Sequence, residues 1–147
     1  GLATPLVVPR ARLRLIDDDT VDVTTFQRAV DRSGVAITLD HARDGVQALA
    51  HLRDPAARRP QVIVLDLRMP RMDGLEFLAA RAQDRDLATI PCVVFTTSRD
   101  TKDRDECYRR GAAGFIPKPA ETDAHIDVVR RVYAYWAICE TPNTHDR

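Results

Sequence analysis

The chain has 147 residues, 44% hydrophobic and 30% charged, which suits one globular soluble domain and excludes a disordered chain. Basic and acidic side chains balance at 22 each, so no uniformly basic footprint points to nucleic acid, and no apolar run is long enough to span a bilayer. Three scattered cysteines, Cys92, Cys107 and Cys139, have no metal-like spacing and read as reduced thiols of a cytoplasmic protein.

Residues 1–10, with Pro5 and Pro9, read as an N-terminal arm, residues 11–138 as the domain, and residues 139–147 as a polar tail. Ala11–Asp17 is a first strand, and a helix runs from Asp19 to a stop at Gly34. Val35–Ala42 is a second strand, followed by a short helix over Asp44–Asp54 that Pro55 closes. Arg58–Asp66 carries the third strand, whose continuous run Val62–Leu65 suits a sheet covered on both faces. Asp73 is a natural N-cap for a helix over Gly74–Gln83, in which Leu75, Leu78, Ala79 and Ala82 recur at helical spacing. Ile90–Ser98 is the fourth strand, Thr101–Gly111 a polar helix and Gly114–Pro119 a short fifth strand. Thr122–Ile138 is the last helix. Its stripe of Ile126, Val129, Val132, Tyr133 and Trp136 packs on the sheet, leaving Tyr135 and Ile138 for a partner.

Five strand–helix units in succession predict an α/β fold: a doubly wound, five-stranded parallel sheet with five helices. Sites in such sheets lie at the carboxyl ends of the strands. The residues expected there are Asp17, Asp18 and Asp19 after strand one, Asp66 after strand three, Thr96, Thr97 and Ser98 after strand four, and Lys118 after strand five. Lys118 is one of only two lysines beside 20 arginines. Crowded carboxylates repel unless a cation joins them, and Mg²⁺ suits two or three carboxylate or carbonyl oxygens completed by water. An ammonium and a hydroxyl facing them would bond the oxygens of a phosphoryl group while a carboxylate attacks phosphorus. The rim therefore suits a phospho-aspartate site with Asp66 as acceptor.

"LIDDD", "VIVLDLRMPRMDGLEFL", "IPCVVFTTS" and "GAAGFIPKP" resemble the bacterial response-regulator receiver domains, of CheY-like, flavodoxin-like fold. The resemblance covers Arg12 to Ile138, and the intervals of 30 residues from Asp66 to Thr96 and 52 to Lys118 match the family pattern. It implies Asp66 as phosphoacceptor, Asp17 and Asp18 as the acidic pair around Mg²⁺, and the Arg68 backbone carbonyl as a further ligand. It also implies Thr96 and Lys118 as phosphate contacts, Phe115 as a switch aromatic that moves with Thr96, and a cis bond between Lys118 and Pro119. A sensor histidine kinase would supply the phosphoryl group, and the face of helix four, strand five and helix five would switch. The sequence shows no second domain after the last helix, which reads as a stand-alone receiver that is not an enzyme beyond its own phosphorylation and dephosphorylation. "YAYWAICETP" and the "TTS" after strand four further resemble the small regulators of phytochrome-type sensor kinases. That implies a bacteriophytochrome as the kinase and a homodimer through the C-terminal face or arm, with Tyr133, Tyr135, Trp136 and Ile138 on the contact.

Two other readings use the same residues. "LIDDDTV" also fits the haloacid-dehalogenase-like phosphatases, with Asp17 as nucleophile and Asp19 as acid/base, but no later acidic motif follows Lys118. A receiver-like module that binds a partner without phosphorylation would not need the complete set of Asp17, Asp18, Asp66, Thr96 and Lys118.

Overall fold

The computed structural model describes residues 10–142. The arm before Arg10 and the tail after Pro142 lie outside the described residues. The elements are β1 (Ala11–Ile16), α1 (Thr20–Ser33), β2 (Ile37–Ala42), α2 (Gly45–Arg53), β3 (Val62–Leu65), α3 (Gly74–Gln83), β4 (Cys92–Thr96), α4 (Thr101–Arg109), β5 (Gly114–Pro117) and α5 (Thr122–Ile138), with one 3-10 turn at Leu87–Thr89. All strand pairs are parallel, in the order β2-β1-β3-β4-β5, so the chain reverses direction across the sheet between β1 and β3. No helix among the described residues is long and apolar enough to cross a membrane.

β3 shows why the sheet is covered twice. Its side chains alternate, and all four are buried: Ile63 and Leu65 join a core with Ile16, Phe77, Leu78 and Val94, while Val62 and Val64 join a core with Leu13, Leu15, Phe26, Phe95 and Val129. Each fully buried aliphatic side chain contributes about 1.5–3 kcal/mol relative to exposure. The strands are shorter than the sequence suggests. β2 starts at Ile37 and β4 at Cys92, just after Pro91, which has no amide to give the ladder.

The helix ends follow local chemistry. Asp19 caps α1 by accepting from the amides of Val21 and Asp22, and Gly34 ends it at a left-handed φ of 75°. Asp73 and Glu76 form a reciprocal capping box at α3. The buried face of α3 is Gly74, Phe77, Leu78 and Arg81, and Ala82 is exposed, so the expected stripe of Leu75, Leu78, Ala79 and Ala82 is turned from the true one. The Phe77 ring takes the core in place of two alanines, and Arg81 is buried because its Nε donates to the Ile90 carbonyl. On α5, Tyr133 and Trp136 pack on the second core, whereas Tyr135 and Ile138 are 59% and 81% exposed.

Candidate functional site at the carboxyl rim of the sheet

Four strand exits and two loops build the site. β1 ends one residue before Asp17, which is buried, as are Asp66 after β3, Thr96 at the end of β4 and Lys118 after β5. Asp18 is exposed beside them. A ligand oxygen from each of Asp17, Asp18 and Asp66 lies within 4.8 Å of the others, a group fitted to a divalent cation.

Lys118 faces this group. Its Nζ donates to Asp17 Oδ2 and to Asp22 Oδ2, both at 2.8 Å, and lies 3.7 Å from Asp66 Oδ1. The other Asp17 oxygen accepts from the Asp19 amide at 2.9 Å, and the Asp17 carbonyl accepts from His41 Nε2 at 2.8 Å. Burial raises the Asp17 carboxyl above its usual range, against the pull of Lys118. Asp66 is raised too, by burial first and by the charge of Asp17, with Lys118 opposing. Burial alone would lower Lys118, but its bonds to Asp17 and Asp22 outweigh that and raise it. Four carboxylates, Asp17, Asp18, Asp22 and Asp66, gather around one ammonium, an excess of negative charge in which a cation is favoured.

The loops fix these groups from behind. Gly74 at the start of α3 donates its amide to the Leu67 carbonyl, and a Cβ there would stand 2.5 Å from the Asp66 carbonyl oxygen. Only glycine allows so close an approach. In the same loop the Met72 amide donates to the Pro70 carbonyl across Arg71 at φ 66°, a γ-turn of the strained hand. The Thr96 hydroxyl accepts from the Ser98 amide at 3.2 Å, and Ser98 Oγ donates to Asp103 at 2.7 Å. Arg99 reaches across the rim, donating to the carbonyls of Thr97 at 3.0 Å and Lys118 at 3.1 Å.

The structure thus gathers Asp17, Asp18, Asp66, Thr96 and Lys118 on one rim. Arg68 follows two residues after Asp66, with its exposed guanidinium 3.7 Å from Asp103. Phe115 is half-buried on the first core and borders a 220 Å³ cavity with Ser98, Arg99, Thr101, Arg104 and Pro117. The expectation of a cis bond at Lys118–Pro119 does not hold: the bond is trans, as are all peptide bonds among the described residues. Trans is favoured by about 0.5–1 kcal/mol even before proline, and here the Lys118 carbonyl finds its partner in Arg99. Asp19, the acid/base of the phosphatase alternative, has its Oδ1 committed to the Val21 and Asp22 amides. Asp22, His41, Arg99 and Gly74 were not singled out from the sequence. No local signal marks Asp22, because the lysine it reaches lies 96 positions later in the chain.

Comparison with known proteins agrees with this geometry. The model of the response regulator receiver domain matches residues 13–130. Response regulator Rcp1 of Synechocystis is 30% identical over 132 residues, 87% of this chain and 90% of that one. The DNA-binding transcriptional regulator NtrC of Proteus hauseri is 28% identical over 88% of this chain, which spans only 26% of its length. The crystal structure of the phosphorylated cyanobacterial phytochrome response regulator RcpA superposes with a TM-score of 0.83 at 31% identity, covering 92% of this chain and 100% of that one. A structure of Rcp1 in its Mn²⁺-bound form gives 0.79 at 29%, covering 90% and 99%.

Proposed function

The chain belongs to the response regulator receiver domain family of two-component signalling, and from that premise we propose that Asp66 is its phosphoacceptor. The observation that carries this reading is the Lys118 ammonium, 95% buried, standing 3.7 Å from Asp66 and bonded to Asp17 at a strand rim where three carboxylates converge. A histidine kinase is the donor. An Asp66 oxygen forms the new O–P bond as the N–P bond of the donor's phosphohistidine breaks, and the electron pair returns to the imidazole nitrogen. Asp17, Asp18 and Asp66, with the Arg68 backbone carbonyl, would hold Mg²⁺, whose chemistry is to neutralise the phosphoryl oxygens. Lys118 and the Thr96 hydroxyl bond the remaining oxygens.

Drawing Thr96 toward the phosphoryl group would break the bond it accepts from Ser98 and pull on the loop that Asp103 and Arg99 secure. Phe115 borders a cavity against that same loop, which gives its ring room to follow. The face of α4, β5 and α5 would then shift between two arrangements. The resemblance to Rcp1 and RcpA supports a phytochrome-type kinase as the input, and the exposed Tyr135 and Ile138 beside Tyr133 and Trp136 support a homodimer through α5. The cytoplasm is the compartment where such a kinase domain would meet it.

Incubation with acetyl phosphate and Mg²⁺, followed by intact mass, tests the reading. One added phosphoryl group is expected, absent in Asp66→Asn and in chelator. No added mass, together with no binding of beryllofluoride, would refute it.

A further inference from the structure

A lysine ammonium has three protons to donate. Two of those on Lys118 go to Asp17 Oδ2 and Asp22 Oδ2 at 2.8 Å, and Asp66 stands back at 3.7 Å. Asp17 is anchored independently, since its other oxygen accepts from the Asp19 amide. Asp22 is placed differently. It stands in the first turn of α1, outside the three carboxylates that converge as a cation group, and its side chain is 36% exposed. Water could serve its charge, yet its carboxylate lies on the buried ammonium.

We propose that Asp22 is a brake on phosphorylation: a positioning residue that competes with a phosphoryl group on Asp66 for the Lys118 ammonium. The proposal rests on the reading of Asp66 as acceptor and Lys118 as its phosphate contact. Two effects act in the same direction. Asp22 withholds a charge-assisted hydrogen bond that the phosphoryl oxygens need. Its charge also adds to those of Asp17 and Asp18 where an ionised carboxylate becomes a more negative acyl phosphate. With Asp22 neutralised, the ammonium is free to recentre between Asp17 and Asp66. An acid in the first turn of a helix also favours the helix dipole. That role alone would be indifferent to what occupies Asp66.

The test is a calorimetric titration of the full chain with beryllofluoride at saturating Mg²⁺, comparing wild type with Asp22→Asn, Asp22→Ala and Asp22→Glu. Asp123→Asn, which removes the acid in the first turn of α5, is the control for a plain dipole role. The Asn and Ala variants should bind roughly threefold to tenfold tighter, the worth of one partly exposed charged hydrogen bond. Glu, which can still reach the ammonium, should return the affinity toward wild type, and Asp123→Asn should leave it unchanged. Equal or weaker binding by both neutral variants overturns the brake, as does an equal gain in Asp123→Asn. If circular dichroism shows either neutral variant unfolded, Asp22→Ser takes its place. A wild type that binds no beryllofluoride and takes no phosphoryl group refutes the acceptor reading and the brake together, whereas wild-type binding with unchanged variants sinks the brake alone.

Discussion

At its carboxyl end β1 delivers Asp17 into a group with Asp18, Asp22 and Asp66 around one lysine. Three residues earlier the same strand delivers Arg14 into a group with Arg12 and His51 around one aspartate, Asp40. Arg12 Nη1 donates to Asp40 at 2.7 Å, and Arg14 Nη1 donates to His51 Nδ1 at 3.1 Å. Both groups hold an excess of one sign under partial burial, and both cost desolvation. They differ in what can reach them. The acidic group opens to solvent through Asp18, so a dissolved cation can balance it. Arg14 is 7% exposed between β2 and α2, and its Nε has no partner among the described residues. The difference teaches where one strand carries function and where it carries only structure: the charge that solvent can answer is the one that can be switched.

The sharpest way to break this contrast is Lys118→Met. It leaves Asp17 and Asp66 buried without their cation, and urea unfolding in chelator should show a loss of about 3 kcal/mol. Mg²⁺ should restore much of that loss, because the carboxylates it would meet are then unopposed. A loss that Mg²⁺ leaves untouched would mean that the rim does not answer to a dissolved cation. Asp40→Ala makes the matching cut in the basic group. Arg12 and Asp40 are both about one-quarter exposed, so the expected loss is smaller, about 1–2 kcal/mol, and Mg²⁺ should not alter it.

These two cuts also mark how much of the molecule was legible in its sequence. Strand exits announce themselves as apolar runs that stop at a polar residue, so Asp17, Asp66, Thr96 and Lys118 could be placed on one rim before any coordinates. Asp22 could not, because an acid in the first turn of a helix is already explained by the dipole, and nothing local tells that a lysine 96 positions later will reach it. Arg14 was hidden by the opposite logic. A charge alternating with leucines in a strand reads as an outward residue, and its burial depends on α2 settling over β1 and β2. The face of α3 was turned because apolar spacing counts alanine and phenylalanine alike, whereas packing weighs their volume.

Acidity offers a milder probe. Asp17 and Asp66 titrate above the usual 3.8 in the fold, chiefly because they are buried. Groups raised in this way bind more protons folded than unfolded. The stability they contribute is full below 3.8 and is lost as pH rises through their folded values. Asp84 and Glu106 are lowered, Asp84 chiefly by the Leu87 amide and Glu106 chiefly by Arg110, and they work in the reverse sense. The informative quantity is therefore the difference between wild type and Asp66→Asn in chelator. Wild type should lose stability relative to the variant as pH rises from 3.8, and saturating Mg²⁺ should reverse the trend, because ligation strengthens as the carboxylates ionise. A flat difference would place Asp66 in water.

The smallest effect is expected from Arg14→Met. Methionine keeps most of the arginine's length and apolar stem while removing a charge that burial disfavours and a donor, Nε, that goes unused. Replacing an imperfectly satisfied buried ion by a packed apolar side chain is often neutral, so stability should stay within about 1 kcal/mol of wild type. The cost that remains is the bond to His51, which can turn to water because it is only half-buried. Asp40 keeps Arg12 as its partner, so no carboxylate is orphaned. Acetyl phosphate should label the variant at the wild-type rate, since β1 meets the rim through Asp17 and not through this group. A marked fall in that rate with the fold intact would mean that the basic cluster is coupled to the site along the strand, and the division between the two ends of β1 would have to be abandoned.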